Sequence, residues 1–131
     1  MDIRIEQMEQ QIFEALEAAD AEMERRCGDR FQLHPARLPN GEAAKRQYDG
    51  LFAFSASFTA GFGSKYGAGY ALELRMVTLD AVPPSFREEF EHDAIEVIQK
   101  ELDKRLPERK LQVVKDVNGY KIIGDLSIGE A

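Results

Sequence analysis

Four glycines, Gly61, Gly63, Gly67 and Gly69, crowd the stretch FTAGFGSKYGAG at residues 58–69, with Ser64, Lys65 and Tyr66 between them. Glycine lets a backbone come close to an anion, a lysine supplies a point charge, and a serine hydroxyl can donate or accept a proton. The same part of the chain carries His34, Arg37, Lys45 and Arg46. An arginine fork suits carboxylate and phosphate oxygens. These residue types together define a candidate ligand set of Arg37, Arg46, Gly63, Ser64, Lys65 and Gly67 for a small anion or an acidic peptide. His34 titrates near neutrality when unperturbed and is the candidate acid or base, with Asp49 and Asp29 as candidate orienting carboxylates.

The spacing of these residues also sets limits. A phosphate-binding P-loop needs Gly-Lys-Ser/Thr in that order, and here Lys65 follows Ser64 and precedes Gly67. The glycines do not fall in a dinucleotide-binding G-x-G-x-x-G pattern either, and the residues after Gly69 read as a strand where a phosphate site wants a helix N-terminus. The loop therefore has a competing reading as a hairpin connection that needs positive φ at several positions. Ser55, Ser57 and Ser64 lie in no G-x-S-x-G elbow. Lone Cys27 cannot close an internal disulfide, and the absence of a Cys/His cluster predicts no metal site. No cofactor motif is found.

Charge is distributed unevenly along the chain. The net charge is −7, yet residues 30–70 hold five basic and two acidic side chains, whereas residues 1–29 hold three and nine. The overall sign disfavours nucleic acid and anionic membranes while leaving room for a local basic pocket. No apolar run is long enough for a membrane span, and the charged N-terminus lacks the apolar core of a signal peptide, so the expected location is cytoplasmic. A length of 131 residues with 44% hydrophobic and 31% charged side chains fits one domain, 1–131, with a core of its own.

The elements that must position these groups follow from periodicity. Ile5, Met8, Ile12, Leu16, Ala19, Met23 and Cys27 recur at helical spacing up to Gly28, with Glu6, Glu9, Glu14, Glu17, Asp20 and Glu24 assigned to a solvated acidic face. Residues 29–50 show neither period and form a connecting excursion, with a candidate short strand at Phe31–Leu33. LFAFSASFTA and GYALELRMVTL each alternate with period two and form a hairpin around the glycine loop, phenylalanines inward. Ser85 and Glu88 after Pro83-Pro84 make a capping box for a second helix that ends at Leu106-Pro107. Asn118-Gly119 marks a two-residue turn, which opposes Val117 to Tyr120 and Asp116 to Lys121.

These elements predict an α+β fold, α-β-β-α-β-β, with a four-stranded, largely antiparallel sheet and both helices on one face. The other face of the first strand, Ala53, Ser55, Ser57 and Thr59, is small and weakly polar, which suits coverage by a second copy. The function that fits is a non-enzymatic binding or assembly module, homo-oligomeric, holding a small anion or acidic peptide at the glycine loop. The alternative is a small enzyme acting on an anionic metabolite through His34. An enzyme requires His34, Arg37, Arg46 and Lys65 around one pocket; a module can spread them over a surface.

Overall fold

A computed structural model describes residues 3–43, 49–117 and 119–126. Helix α1 (Ile3–Cys27) is followed by strands β1 (Phe52–Thr59) and β2 (Gly69–Met76), helix α2 (Pro84–Arg105), a single 3-10 turn at Pro107–Arg109, and strands β3 (Gln112–Asp116) and β4 (Gly119–Ile123). The sheet order is β1-β2-β4-β3 and every neighbouring pair is antiparallel. Both helices pack on one face, α1 against β1 and α2, and α2 against β3. The expected α+β arrangement is the observed one.

The apolar stripes meet there. Ile12, Phe52, Ile98, Leu102, Leu111 and Ile122 are fully buried, and Phe90 of α2 stacks on Phe52 with ring centroids 4.7 Å apart. Because α1 spends its stripe on α2 and the sheet, that stripe is an internal seam. Phe52 and Phe54 are buried as alternation requires, but Phe58 at the far end of β1 stays 60% exposed and meets Tyr70 in an edge-on contact, with ring centroids 5.7 Å apart.

Four local expectations are corrected. Ser85 lies inside α2 and makes no cap: Pro83 is the N-cap residue, with no side-chain cap hydrogen bond, and Pro84 takes the first helical position, where its missing N–H costs nothing. Phe31–Leu33 is not a strand, although Gln32 is tied to the segment after β2 by Thr78 Oγ1 donating to its carbonyl at 2.6 Å and by its own N–H reaching Asp80 at 2.9 Å. In the β3–β4 hairpin Asp116 opposes Gly119 and Lys115 opposes Tyr120, so the register is two residues away from the Asn118-Gly119 turn and Gly119 opens β4. A slip of two keeps every side chain on its own face, so burial pattern could not tell the two registers apart. Asn118 lies outside the described residues.

The acidic face of α1 is not wholly solvated. Asp20 and Glu24 are buried, at 2% and 9% exposure. Glu24 Oε1 accepts the N–H groups of Leu51 at 2.5 Å and Phe52 at 3.0 Å. Its carboxylate fits between Gly28 and Gly50, where an added Cβ would lie 2.2 Å from a Glu24 oxygen in either case, and Gly50 also has φ +71°. Arg37 completes the junction by donating to the carbonyls of Asp49, Gly50 and Phe52 at 2.7–3.1 Å. Asp49 in turn accepts the N–H groups of Gly41 and Ala43. The described part of the excursion, residues 29–43 and 49–50, is thus irregular structure tied to the start of β1 by Arg37 and by the buried carboxylates of Glu24 and Asp49.

Glu24→Ala is expected to destabilise the fold by about 2 to 4 kcal/mol, since it strands two buried N–H donors, while Glu24→Gln, which keeps an acceptor oxygen, costs less. Urea denaturation of both variants measures this, and an unchanged midpoint for Glu24→Ala would contradict the role.

Candidate functional site

The nine-residue connection between β1 and β2 folds back over the sheet face opposite the helices. Its neck is a backbone crossing: a Cβ on Gly61, which has φ +86°, would lie 2.1 Å from the Gly67 carbonyl group. Only a glycine permits that approach. Ser64 N–H closes a turn on Gly61 O at 3.0 Å, and Ser64 Oγ accepts Tyr66 N–H at 3.1 Å.

Beneath the loop lies a cluster joining both hairpins. Lys121 of β4 is only 5% exposed although it points away from the core. Its ammonium donates to Ser64 Oγ at 2.8 Å and Gly67 O at 2.7 Å and pairs with Asp116 Oδ2 at 3.0 Å. Those three partners use the donors an ammonium has. Ser64 Oγ donates in turn to Asp116 Oδ2. The Ser64 hydroxyl, and next Lys121, hold the Asp116 carboxyl down at about 2. The carboxylate and the ammonium are both spent on the Ser64 hydroxyl and on each other, so the cluster braces the loop.

A cavity of about 220 Å³ opens beside the brace, lined by Thr59, Phe62, Ser64, Ala71, Val117 and Tyr120 among others. Phe62 is 98% exposed and Val117 76% exposed, so the rim is apolar while the floor is polar. Lys65 is exposed on the same loop with its ammonium 5.1 Å from the Tyr66 ring centroid. A larger open groove of about 570 Å³ follows the β3 edge past Gln99 and Asp103. There the Gln99 amide already takes Leu111 O and Val113 N–H at 2.8 and 2.9 Å.

The structure brings Gly63, Ser64, Lys65 and Gly67 together on one loop and places His34 and Arg37 elsewhere. Arg37 is committed to the carbonyls at the start of β1. His34 donates its backbone N–H to Val77 O just beyond β2, and its Nδ1 accepts Ala36 N–H at 3.0 Å. Both therefore lie at the end of the sheet away from the glycine loop, separated from it by the length of β1, roughly 23 Å at 3.3 Å per residue. Asp49 is engaged with Gly41 and Ala43. Arg46 and Lys45 lie outside the described residues. Sequence reading passed over Asp116 and Lys121 as site residues, although the sequence marked them as a cross-strand charge pair; nothing local placed that pair under a loop 52 residues away. On α2, ligand atoms of His92, Asp93 and Glu96 lie within 4.8 Å of one another on accessible surface, as helical spacing alone produces. Among the described residues no helix is long and apolar enough to cross a membrane.

Since the Asp116 carboxyl is held near 2, below its ordinary 3.8, it stabilises the folded loop fully above about pH 4, and that contribution is lost as pH falls toward 2. Amide exchange at Ser64 and Gly67 should be flat from pH 7 to about 4.5, after correction for intrinsic rates, and rise below that. Asp116→Asn should show the raised exchange at neutral pH; a flat profile in the wild type down to pH 2 would contradict the bracing.

A family model with the description "Uncharacterised protein" matches residues 3–124. A protein of Borreliella burgdorferi (strain B31), described as "Uncharacterized protein", is 33% identical over 121 residues, which is 92% of this chain and 94% of that protein. No solved structure matches.

Proposed function

The chain belongs to this family, and on that premise we propose that it is a cytoplasmic, non-enzymatic binding and assembly module, homo-oligomeric, whose glycine loop takes an acidic peptide segment. The observation that carries the reading is the preformed cavity of about 220 Å³ under a braced loop, with a polar floor and the exposed Phe62 and Val117 at its mouth. A rim of exposed apolar side chains, on a loop that also carries the exposed Lys65, suits a ligand that presents both a carboxylate and an apolar group, more than a bare inorganic anion. A braced loop also lowers the ordering cost of binding. The separation of His34 from Lys65 favours a module over an enzyme that needs both around one substrate.

Titration with short peptides pairing glutamate with phenylalanine should shift the amide resonances of Ser64 to Gly67, more than acetate, sulfate or phosphate do, and the affinity should weaken with salt. Lys65→Ala should weaken binding about two- to fivefold, as expected for an exposed ion pair, and Phe62→Ser should weaken it as well. His34→Ala should leave binding unchanged. Silence across all these ligands would remove the binding half of the proposal. For the assembly half, sedimentation should show a dimer or larger species at micromolar concentration, and a monomer throughout would remove it.

A further inference from the structure

The two outer strands of the sheet are treated differently. On β3, the Gln99 side chain stands in for a neighbouring strand by pairing Leu111 O and Val113 N–H, and Lys115 adds an exposed charge. Both devices discourage another strand from joining. On β1, Leu51 O accepts Val77 N–H from the β2 side, whereas Phe52 turns its N–H to Glu24 and its carbonyl to Arg37 on the outer side. Alternation along the strand then directs the N–H and C=O groups of Phe54, Ala56 and Phe58 to that outer side as well. Among the described residues nothing pairs with them. β1 carries no charge, no proline and no bulge, and it pairs with β2 in unbroken register from Phe52 to Thr59.

The sequence of this open stretch is Phe54-Ser55-Ala56-Ser57-Phe58, a palindrome centred on Ala56. A two-fold antiparallel contact requires one surface to match itself read backwards. We propose that β1 pairs edge to edge with β1 of a second copy about a two-fold axis at Ala56, joining the two sheets into one. Ala56 then opposes Ala56 of the second copy, and Phe54 opposes its Phe58. These are the residues whose backbone groups point outward, so each such pair exchanges both N–H···O=C bonds. Ser55 opposes Ser57 of the second copy in the closer, non-hydrogen-bonded position on the face away from the helices, where two hydroxyls can bond. Phe58, 60% exposed in one chain, gains a phenylalanine neighbour across the junction. Phe52, already occupied by Glu24 and Arg37, would fall opposite Ala60, beyond the end of β1, so the guarded residue and the palindrome do not compete.

The inference rests on the homo-oligomeric part of the function proposed above and gives it a surface. Ala56→Pro removes an outward N–H, which an edge strand tolerates, and Phe58→Lys puts a charge on an exposed side chain. In sedimentation each should raise the dimer dissociation constant by about a hundredfold or more, with circular dichroism unchanged. Should Ala56→Pro fail to fold, Phe58→Lys carries the test together with the double variant Ser55→Cys/Ser57→Cys. Under mild oxidation that variant should form a covalent dimer linking position 55 of one copy to 57 of the other. A wild type that is monomeric at all concentrations overturns this inference and the assembly half of the function together. A dimer that survives Phe58→Lys and yields no 55-to-57 link overturns this inference alone, and leaves assembly through another surface.

Discussion

The carboxylate of Glu24 is the constraint on which the geometry of the sheet depends. It is an acid on a helix otherwise packed by Ile12, Leu16 and Met23, yet it is buried and takes the two N–H groups that open β1. A buried carboxylate is costly unless its oxygens are satisfied and the backbone around it gives way. Both conditions are met: two N–H groups point at one oxygen, and glycines at 28 and 50 leave the space that any side chain would fill. Arg37 then fixes the carbonyl side of the same turn of chain. Where β1 begins decides which of its residues face α1, and so the register of the β1–β2 hairpin and the position of the glycine loop at its far end.

What could be read from the sequence and what could not divides along physical lines. The elements with long unbroken periods, α1, β1, β2 and α2, were legible because each must bury one face, and the order of elements with the helices on one side of the sheet follows from those faces. The acids of α1 were not all legible as surface, since an Asp or Glu at a polar heptad position looks the same whether its partner is water or a distant N–H; only contact with residues 49–52 separates Glu24 from Glu17. Ser85 misled for a similar reason: a capping box and a first helical turn that starts on Pro84 share the same residues, and the proline, with its fixed φ and absent N–H, settles the start. The hairpin turn misled because a shift of two preserves both the apolar face and the attraction between Asp116 and Lys121, which became a diagonal contact instead of a direct one.

The candidate site was legible in half. Glycines at close spacing did announce a loop with unusual backbone: the approach to the Gly67 backbone is the physical reason for Gly61, and a φ of +74° is the reason for Gly67. The expectation that nearby basic residues in the sequence share a pocket is the part that distance along a strand defeats: eight residues of β1 carry the chain from the Arg37 end to the Lys65 end. The groups that do share the pocket, Asp116 and Lys121, come from the opposite end of the sequence. Their convergence with Ser64 is a product of strand order, which local pattern does not determine.

That strand order has a bearing on how the chain acquires and loses its structure. Each outer pair of strands is a local hairpin, eight residue pairs long for β1–β2 and five for β3–β4, but the central seam between β2 and β4 has only three, Tyr70 with Ile122, Ala71 with Lys121 and Leu72 with Tyr120. Contacts close in sequence form early and cheaply, whereas the seam closes a loop of about fifty residues and must await both hairpins. The bonds from Lys121 to Ser64 and Gly67, and from Ser64 to Asp116, run across that same seam from the first hairpin to the second. The loop is therefore also a latch: its bonds to Lys121 and Asp116 can form only once the two hairpins have docked, and they add to the ties across the narrow seam.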